Sequence, residues 1–106
     1  MGEHALVLIT CGSEDEARLI ARDLVESALA AGVQIMPIQS VYRWAGEVVD
    51  DREWLLITKT RVDRYQSIEQ RVGELHSYQV PPVSMVEIHS ASRSYLDWID
   101  EQVGPS

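Results

Sequence analysis

Several residue classes are scarce in this chain of 106 residues. It contains one cysteine, one lysine and no phenylalanine. A single cysteine rules out an internal disulfide, and proteins of reducing compartments rarely contain disulfides. Every hydrophobic run is far shorter than the ~20 residues that a membrane-spanning helix needs, and the first residues lack the basic flank of a secretory signal. We therefore expect a cytoplasmic protein that has no membrane partner.

Positive charge is also in short supply. Nine basic side chains face seventeen acidic ones, which gives a net charge of −8 and a pI near 4.7. A polyanion would meet a repulsive mean field around such a protein. The charge balance therefore predicts no nucleic-acid partner.

The familiar catalytic motifs are missing as well. The sequence has no glycine-rich phosphate loop, no Cys-x-x-Cys, no His-Glu-x-x-His and no Gly-x-Ser-x-Gly. We therefore expect a protein that is not an enzyme. An enzyme that uses His76 as a general base, with Tyr78 or Lys59 assisting, is the alternative.

What is present predicts one globular domain over residues 1–106, because 45% of the residues are hydrophobic and 25% are charged. Residues 5–10 form an apolar run typical of a central strand buried on both faces. Ser13 and Glu16 form a capping-box pattern that opens a helix predicted over about 14–31, with Gly32 as its stop.

A long β-hairpin follows. Residues 33–44 alternate in polarity like an edge or bulged strand, which contains Pro37. Ala45 and Gly46 then make a tight turn, and residues 47–60 form the second strand of the hairpin. The arms exceed the usual strand length and should project beyond the core. Because they carry large apolar side chains, we expect self-association through the hairpin, with interface residues Tyr42, Trp44, Val48 and Trp54.

The remaining pattern completes a β-α-β-β-α-β order with a C-terminal helix. Asp63 is the predicted cap of a second helix that ends near His76, residues 83–88 are a fourth strand, and Ser90 or Ser92 opens the last helix. Two β-α-β halves joined by a hairpin describe an α+β, ferredoxin-like fold.

Ligand-binding chemistry is concentrated near the second helix end. His76 is followed closely by Tyr78 and Gln79, which makes this loop a candidate binding segment; alternatively, His76 caps its own helix. Cys11 and His76 would offer soft ligands to copper or zinc if the fold brings them together. The alternative for Cys11 is a small buried thiol.

Other charged and aromatic residues have two interpretations each. Lys59 would pair with an anionic ligand beside a pocket or form a structural ion pair. A small acidic cluster on the hairpin would either hold a hard cation or form a solvated surface, and we favour the solvated surface. The cluster consists of Asp50, Asp51 and Glu53.

The two other histidines, His4 and His89, are expected at the surface. The remaining aromatic side chains would line a pocket or pack an interface: Tyr42, Trp44, Tyr95 and Trp98.

Taken together, these segments resemble the CutA family, the divalent-cation tolerance proteins. The resemblance spans nearly the whole chain and is carried by Thr10–Ala17, Leu29–Val33, Ser40–Glu47, Glu53, Lys59-Thr60, His76–Pro81 and Tyr95–Ile99. It implies a ferredoxin-like fold, a homotrimer similar to the PII signalling proteins and a role linked to divalent metals such as copper.

The chain departs from the family pattern at three positions, one of which is Ser77, where a proline frequently follows the histidine. Gly32 stands where many members have cysteine, and Pro82 stands where a glutamate is frequent. We therefore consider two alternative functions. One is a trimeric metal-responsive protein that binds copper weakly at intersubunit clefts. The other is a PII-like regulatory module that binds a small anion or metabolite in a cleft lined by Lys59, His76, Tyr78, Trp44 and Gln79.

Overall fold

The computed structural model describes residues 3–104 and forms one four-stranded antiparallel sheet in the order β2-β3-β1-β4. The elements are β1 His4–Cys11, α1 Glu14–Glu26, β2 Gly32–Trp44, β3 Glu47–Arg61, a 3-10 turn Val62–Arg64, α2 Tyr65–Leu75, β4 Val83–Glu87 and α3 Arg93–Gln102. This order and topology confirm the ferredoxin-like α+β prediction. No helix within residues 3–104 combines the length and apolar character needed to cross a bilayer.

The main core lies between one face of the sheet and the helices α1 and α2. On β1, Val7, Ile9 and Cys11 are fully buried there, while the residues between them are half-buried on the opposite face. The prediction that residues 5–10 are buried on both faces is therefore wrong for the single chain. The reason is that α1 and α2 both pack against the same side of the sheet.

Helix α1 begins as predicted and ends early. The Ser13 hydroxyl accepts a hydrogen bond from the Glu16 N–H at 3.2 Å, which confirms the N-cap. The helix stops at Glu26 rather than near residue 31, because Ala28 adopts a left-handed φ of 60° and turns the chain toward β2. Leu29 keeps the apolar spacing of the helix but reaches the core from this turn.

The β2–β3 hairpin projects from the body of the protein. Only Trp54–Arg61 of β3 pairs with β1, so the preceding stretch pairs with β2 alone. These seven residues, 47–53, extend about 23 Å at the usual strand rise. Ala45 and Gly46 form the turn with φ angles of 51° and 83°. β2 lies at the sheet edge, as Pro37 predicted.

The caps of helices α2 and α3 agree only in part with the sequence-based prediction. Asp63 lies in the 3-10 turn and accepts hydrogen bonds from Arg61 and Arg64, so it does not cap α2. Helix α3 follows Ser92, one of the two predicted starts. Its Asp100 accepts hydrogen bonds from Arg61 and from His4, the latter at 2.9 Å. His4 is therefore half-buried rather than a surface residue, whereas His89 is exposed as expected.

Candidate functional site

Three potential metal ligands meet where β1, α1 and α2 come together. Cys11 ends β1, Glu16 lies in the first turn of α1 and His76 follows the last residue of α2. Their sulfur, carboxylate oxygen and ring nitrogen all lie within 4.8 Å of one another. The fold therefore brings Cys11 and His76 together. It also places Glu16 beside them, although the sequence predicted only a helix-capping role for this residue.

The His76 ring is fully buried, and its hydrogen bonds define its tautomer. Nε2 lies 2.7 Å from the Thr10 carbonyl oxygen, which can only accept, so Nε2 carries the proton. Nδ1 accepts a hydrogen bond from the Tyr78 N–H at 3.0 Å. The ring therefore does not cap its own helix. It fastens the segment 76–78 to the end of β1.

His76 Nδ1 also faces the Glu16 carboxylate, with 3.2 Å between Nδ1 and Oε2. A ring nitrogen lone pair and a carboxylate oxygen are both acceptors, and here they accept the backbone N–H groups of Tyr78 and Ser77. A metal cation would use the same two atoms as ligands. Two ligands on a tetrahedral metal, with bonds of about 2.0–2.1 Å, are separated by about 3.3 Å. The observed spacing fits such a pair.

Cys11 supplies the third ligand atom of this cluster. Burial raises the pKa of its thiol to about 12, and the negative charges of Glu16 and Glu53 act in the same direction. At neutral pH the thiol therefore stays protonated unless a metal cation replaces the proton. This chemistry suits a borderline-soft divalent ion better than a hard one.

A separate pocket of about 780 Å³ lies beside the loop that follows His76. Its lining includes three residues of the predicted cleft, Trp44, Tyr78 and Gln79. The Tyr78 hydroxyl donates to Glu53 Oε2 at 2.6 Å. Burial raises the pKa of Tyr78, and this hydrogen bond raises it further. The remaining lining residues come from β1, the hairpin and the same loop: Thr10, Ser40, Val41, Tyr42, Glu53, Ser77, Val80 and Pro82.

Lys59 lies away from this pocket. It is six residues from Glu53 along β3, a distance of about 20 Å at the usual strand rise. Burial lowers the pKa of its amine, and no carboxylate of residues 3–104 forms a salt bridge with it. Within one chain, the lining residues contribute a carboxylate and no basic side chain. Anion binding through Lys59 stays a prediction.

The acidic residues of the hairpin separate into two kinds. Asp50 and Asp51 are exposed and accept hydrogen bonds from Gln39 and Tyr42. Glu53 is only 5% exposed. The expectation of a solvated acidic surface is thus wrong for Glu53, because the loop after α2 folds over it and Tyr78 contacts it. Alternation along β3 offered no signal for this, since the covering loop is distant in sequence.

The predicted interface residues also differ in their surroundings. Val48, Trp44 and Tyr42 are 65%, 47% and 37% exposed on the hairpin. Trp54 instead packs against the core of its own chain. These positions describe one chain, so the interface stays a prediction.

The other two aromatic candidates lie on α3, remote from the pocket. Tyr95 and Trp98 stack with ring centroids 6.0 Å apart. A Cβ added at Gly32 would lie 3.1 Å from the Trp98 ring, so this ring packs over one of the positions at which the sequence departs from the expected family pattern.

The fold and the ligand cluster together define a class of protein. An antiparallel β2-β3-β1-β4 sheet, two helices on one face, a long hairpin and a Cys–Glu–His cluster describe a small ferredoxin-like protein with ligands for a divalent cation. The family model described as "CutA1 divalent ion tolerance protein" matches residues 5–102. The chain therefore belongs to the CutA1 family.

Individual relatives agree with this assignment. The divalent-cation tolerance protein CutA of Thermus thermophilus is 48% identical over 100 residues, which cover 93% of this chain and 97% of that protein. The solved structure of the periplasmic CutA of Archaeoglobus fulgidus is 38% identical and superposes with a TM-score of 0.93, covering 95% and 99% of the two chains. CutA1 of Oryza sativa is 33% identical with a TM-score of 0.95, covering 99% and 97%. The descriptions of the Thermus and Archaeoglobus proteins name divalent-cation tolerance.

Proposed function

We propose that the protein binds a divalent, borderline-soft metal ion, with copper and zinc as the leading candidates, at the cluster of Cys11, Glu16 and His76. The observation that carries this proposal is the convergence of three ligand atoms within 4.8 Å of one another, with 3.2 Å between His76 Nδ1 and Glu16 Oε2. The family description of divalent ion tolerance supports it.

The donor set has the right chemistry for this role. A thiolate, an imidazole and a carboxylate together favour Zn²⁺ and Cu²⁺ over Mg²⁺ or Ca²⁺, which prefer oxygen ligands only. The departures from the family pattern at Gly32 and Pro82 remove none of these three side chains. Since only three ligands come from this cluster, we expect the metal to be held weakly enough for exchange, as a tolerance role requires.

A chelator-competition titration with Zn²⁺ or Cu²⁺ tests the assignment. We expect about one ion per chain, and a loss of affinity of about ten- to a hundredfold in Cys11→Ser and Glu16→Gln, since each removes one ligand. Glu14→Gln is the matched control, because Glu14 lies in the same first turn and pairs with Arg18 outside the cluster. Equal affinity in Glu16→Gln and Glu14→Gln would contradict the proposal.

Cobalt supplies an independent spectroscopic readout. Co²⁺ bound to a thiolate gives a near-ultraviolet charge-transfer band that carboxylate and imidazole ligation do not give. We expect the band in the wild-type protein and its loss in Cys11→Ser. Metal binding without the band would assign the ion to a site that excludes Cys11.

We further propose that the chain forms a homotrimer through its hairpin, so that the metal and ligand sites lie near intersubunit clefts. The exposed apolar side chains Val41, Trp44 and Val48 support this, because such a surface is unfavourable in a monomer. Light scattering should report about three times the 12.0 kDa chain mass. Val48→Asp should dissociate the assembly, whereas Leu19→Asp on the exposed side of α1 should not. A 12.0 kDa particle for the wild type would refute the trimer.

A further inference from the structure

We propose that the 780 Å³ pocket at the base of the hairpin is a binding site for a small organic monocation, namely a primary ammonium attached to an apolar or aromatic body. This site lies beside the metal cluster, and the proposal does not rest on metal binding there. The inference rests on three features of the pocket: its one charged side chain, its aromatic walls and its size.

The charged side chain is Glu53, which is 95% removed from solvent in a wall of the pocket. One carboxylate oxygen, Oε2, accepts the Tyr78 hydroxyl. Among the described residues, no donor pairs with the other oxygen, Oε1, and no Lys, Arg or His lines the pocket. A carboxylate that lines a pocket with one acceptor oxygen free, and with no counter-charge among the lining residues of its own chain, favours a cationic donor on a ligand.

The aromatic walls favour an organic cation over a hydrated inorganic one. Tyr42, Trp44 and Tyr78 all line the pocket. Aromatic faces attract ammonium groups through the ring quadrupole, and they also bury the apolar body attached to the ammonium. The volume lies within the usual range of about 300–1,000 Å³ for small-molecule sites.

Other occupants fit the lining less well. A hard divalent cation needs about six oxygen ligands, and Glu53 is the pocket's single carboxylate among the described lining residues. A small anion would meet the charge of Glu53 with no basic side chain nearby. In the proposed trimer a second copy packs near Trp44, so the proposal requires that the pocket stays open to solvent in the assembly, which the binding measurement tests.

Calorimetry with three probes of similar shape tests the ligand class: benzylammonium, benzyl alcohol and benzoate. We expect saturable binding of benzylammonium to the wild-type protein, about ten- to a hundredfold weaker binding of benzyl alcohol, and no binding of benzoate, because only the first supplies a charged donor to Glu53. Similar affinities for all three probes would overturn the proposal. So would the absence of benzylammonium binding, the result expected if a second copy fills the pocket.

Variants then locate the selectivity. Glu53→Gln keeps an acceptor for the Tyr78 hydroxyl and removes the charge, so benzylammonium should bind about ten- to a hundredfold more weakly while benzyl alcohol is unaffected. Asp50→Asn is the matched control, since Asp50 is an exposed carboxylate on the same strand that pairs with Gln39 outside the pocket. Selectivity that survives in Glu53→Gln, or falls equally in both variants, would refute the assignment. Benzylammonium binding is also measured in the metal-free Cys11→Ser variant, where it should stay constant because Cys11 does not line the pocket, and this separates the test from that of the metal site.

Discussion

Two threonines on β3 offer a sharp test of how the core is satisfied. Thr58 and Thr60 lie two residues apart on the same face, and both are fully buried beneath the helices. The Thr60 hydroxyl donates to the Leu29 carbonyl at 2.7 Å. The Thr58 hydroxyl has no hydrogen-bond partner within the described residues. The same chemical change, Thr→Val, should therefore have opposite effects at the two positions.

The magnitudes follow from the cost of unpaired polar groups. A buried hydroxyl without a partner costs about 1–3 kcal/mol relative to an apolar group of the same shape, so Thr58→Val should raise the free energy of unfolding by about 1–2 kcal/mol. Thr60→Val removes a hydrogen bond and leaves the Leu29 carbonyl without this donor. It should lower the free energy of unfolding by about 1 kcal/mol. Valine and threonine have similar shapes and strand preferences, which isolates the hydroxyl.

Urea unfolding monitored by circular dichroism measures both changes. For a chain of this length, about 1 kcal/mol corresponds to about 4 °C in Tm, so thermal scans provide a second readout. Protein concentration must be held constant, because an assembly couples stability to concentration. Shifts of the same sign in both variants would show that the assignment of the Thr58 hydroxyl as unpaired is wrong.

Three further predictions concern single contacts. Ala45→Asn should stabilise the hairpin by about 0.5–1 kcal/mol in urea unfolding, because Ala45 holds a φ of 51° that asparagine tolerates better; a loss of stability would refute this. Gly12→Ala would place a Cβ 2.7 Å from the Tyr78 hydroxyl oxygen and should destabilise by about 1–3 kcal/mol, less in a Tyr78→Phe background, so additive effects in this double-mutant cycle would contradict the clash. The pKa of Asp23 is lowered below 3.8 by hydrogen bonds from Arg71, so its contribution to stability is present above that pH and is lost as pH falls. The stability difference between wild type and Asp23→Asn should therefore shrink below pH 3.8, and a constant difference would refute the linkage.

The topology could be predicted from the sequence because each strand and helix carries its own periodicity and punctuation. Pro37 marked an edge strand, Ala45 and Gly46 marked the hairpin turn, and Ser13 marked the start of α1. The predicted end of α1 was wrong because a helix and a turn that reaches the core can show the same spacing of apolar residues. Leu29 continues the apolar spacing of α1, yet it reaches the core from a turn, because Ala28 adopts a conformation that spacing cannot reveal.

The sites were harder to predict because their members meet through tertiary contacts. Cys11 and His76 were identified by their chemistry, but Glu16 was hidden by a local explanation as a capping residue. Its backbone N–H does complete the cap, while its carboxylate turns toward His76 and accepts from the Ser77 N–H. A residue that satisfies a local rule with its backbone remains free to serve a distant site with its side chain.

The two proposed sites share the segment that begins at His76. Nδ1 of this ring accepts the Tyr78 N–H, and the Tyr78 hydroxyl in turn donates to Glu53 in the pocket. A metal ion that takes the Nδ1 lone pair must displace that N–H and so shift the backbone of Tyr78. Since binding free energies are reciprocal, metal occupancy would change the pocket's affinity for an ammonium by the same factor as the ammonium changes the affinity for metal. We therefore expect benzylammonium to shift the affinity for Zn²⁺, and an unchanged Zn²⁺ affinity in its presence would refute coupling through these two hydrogen bonds.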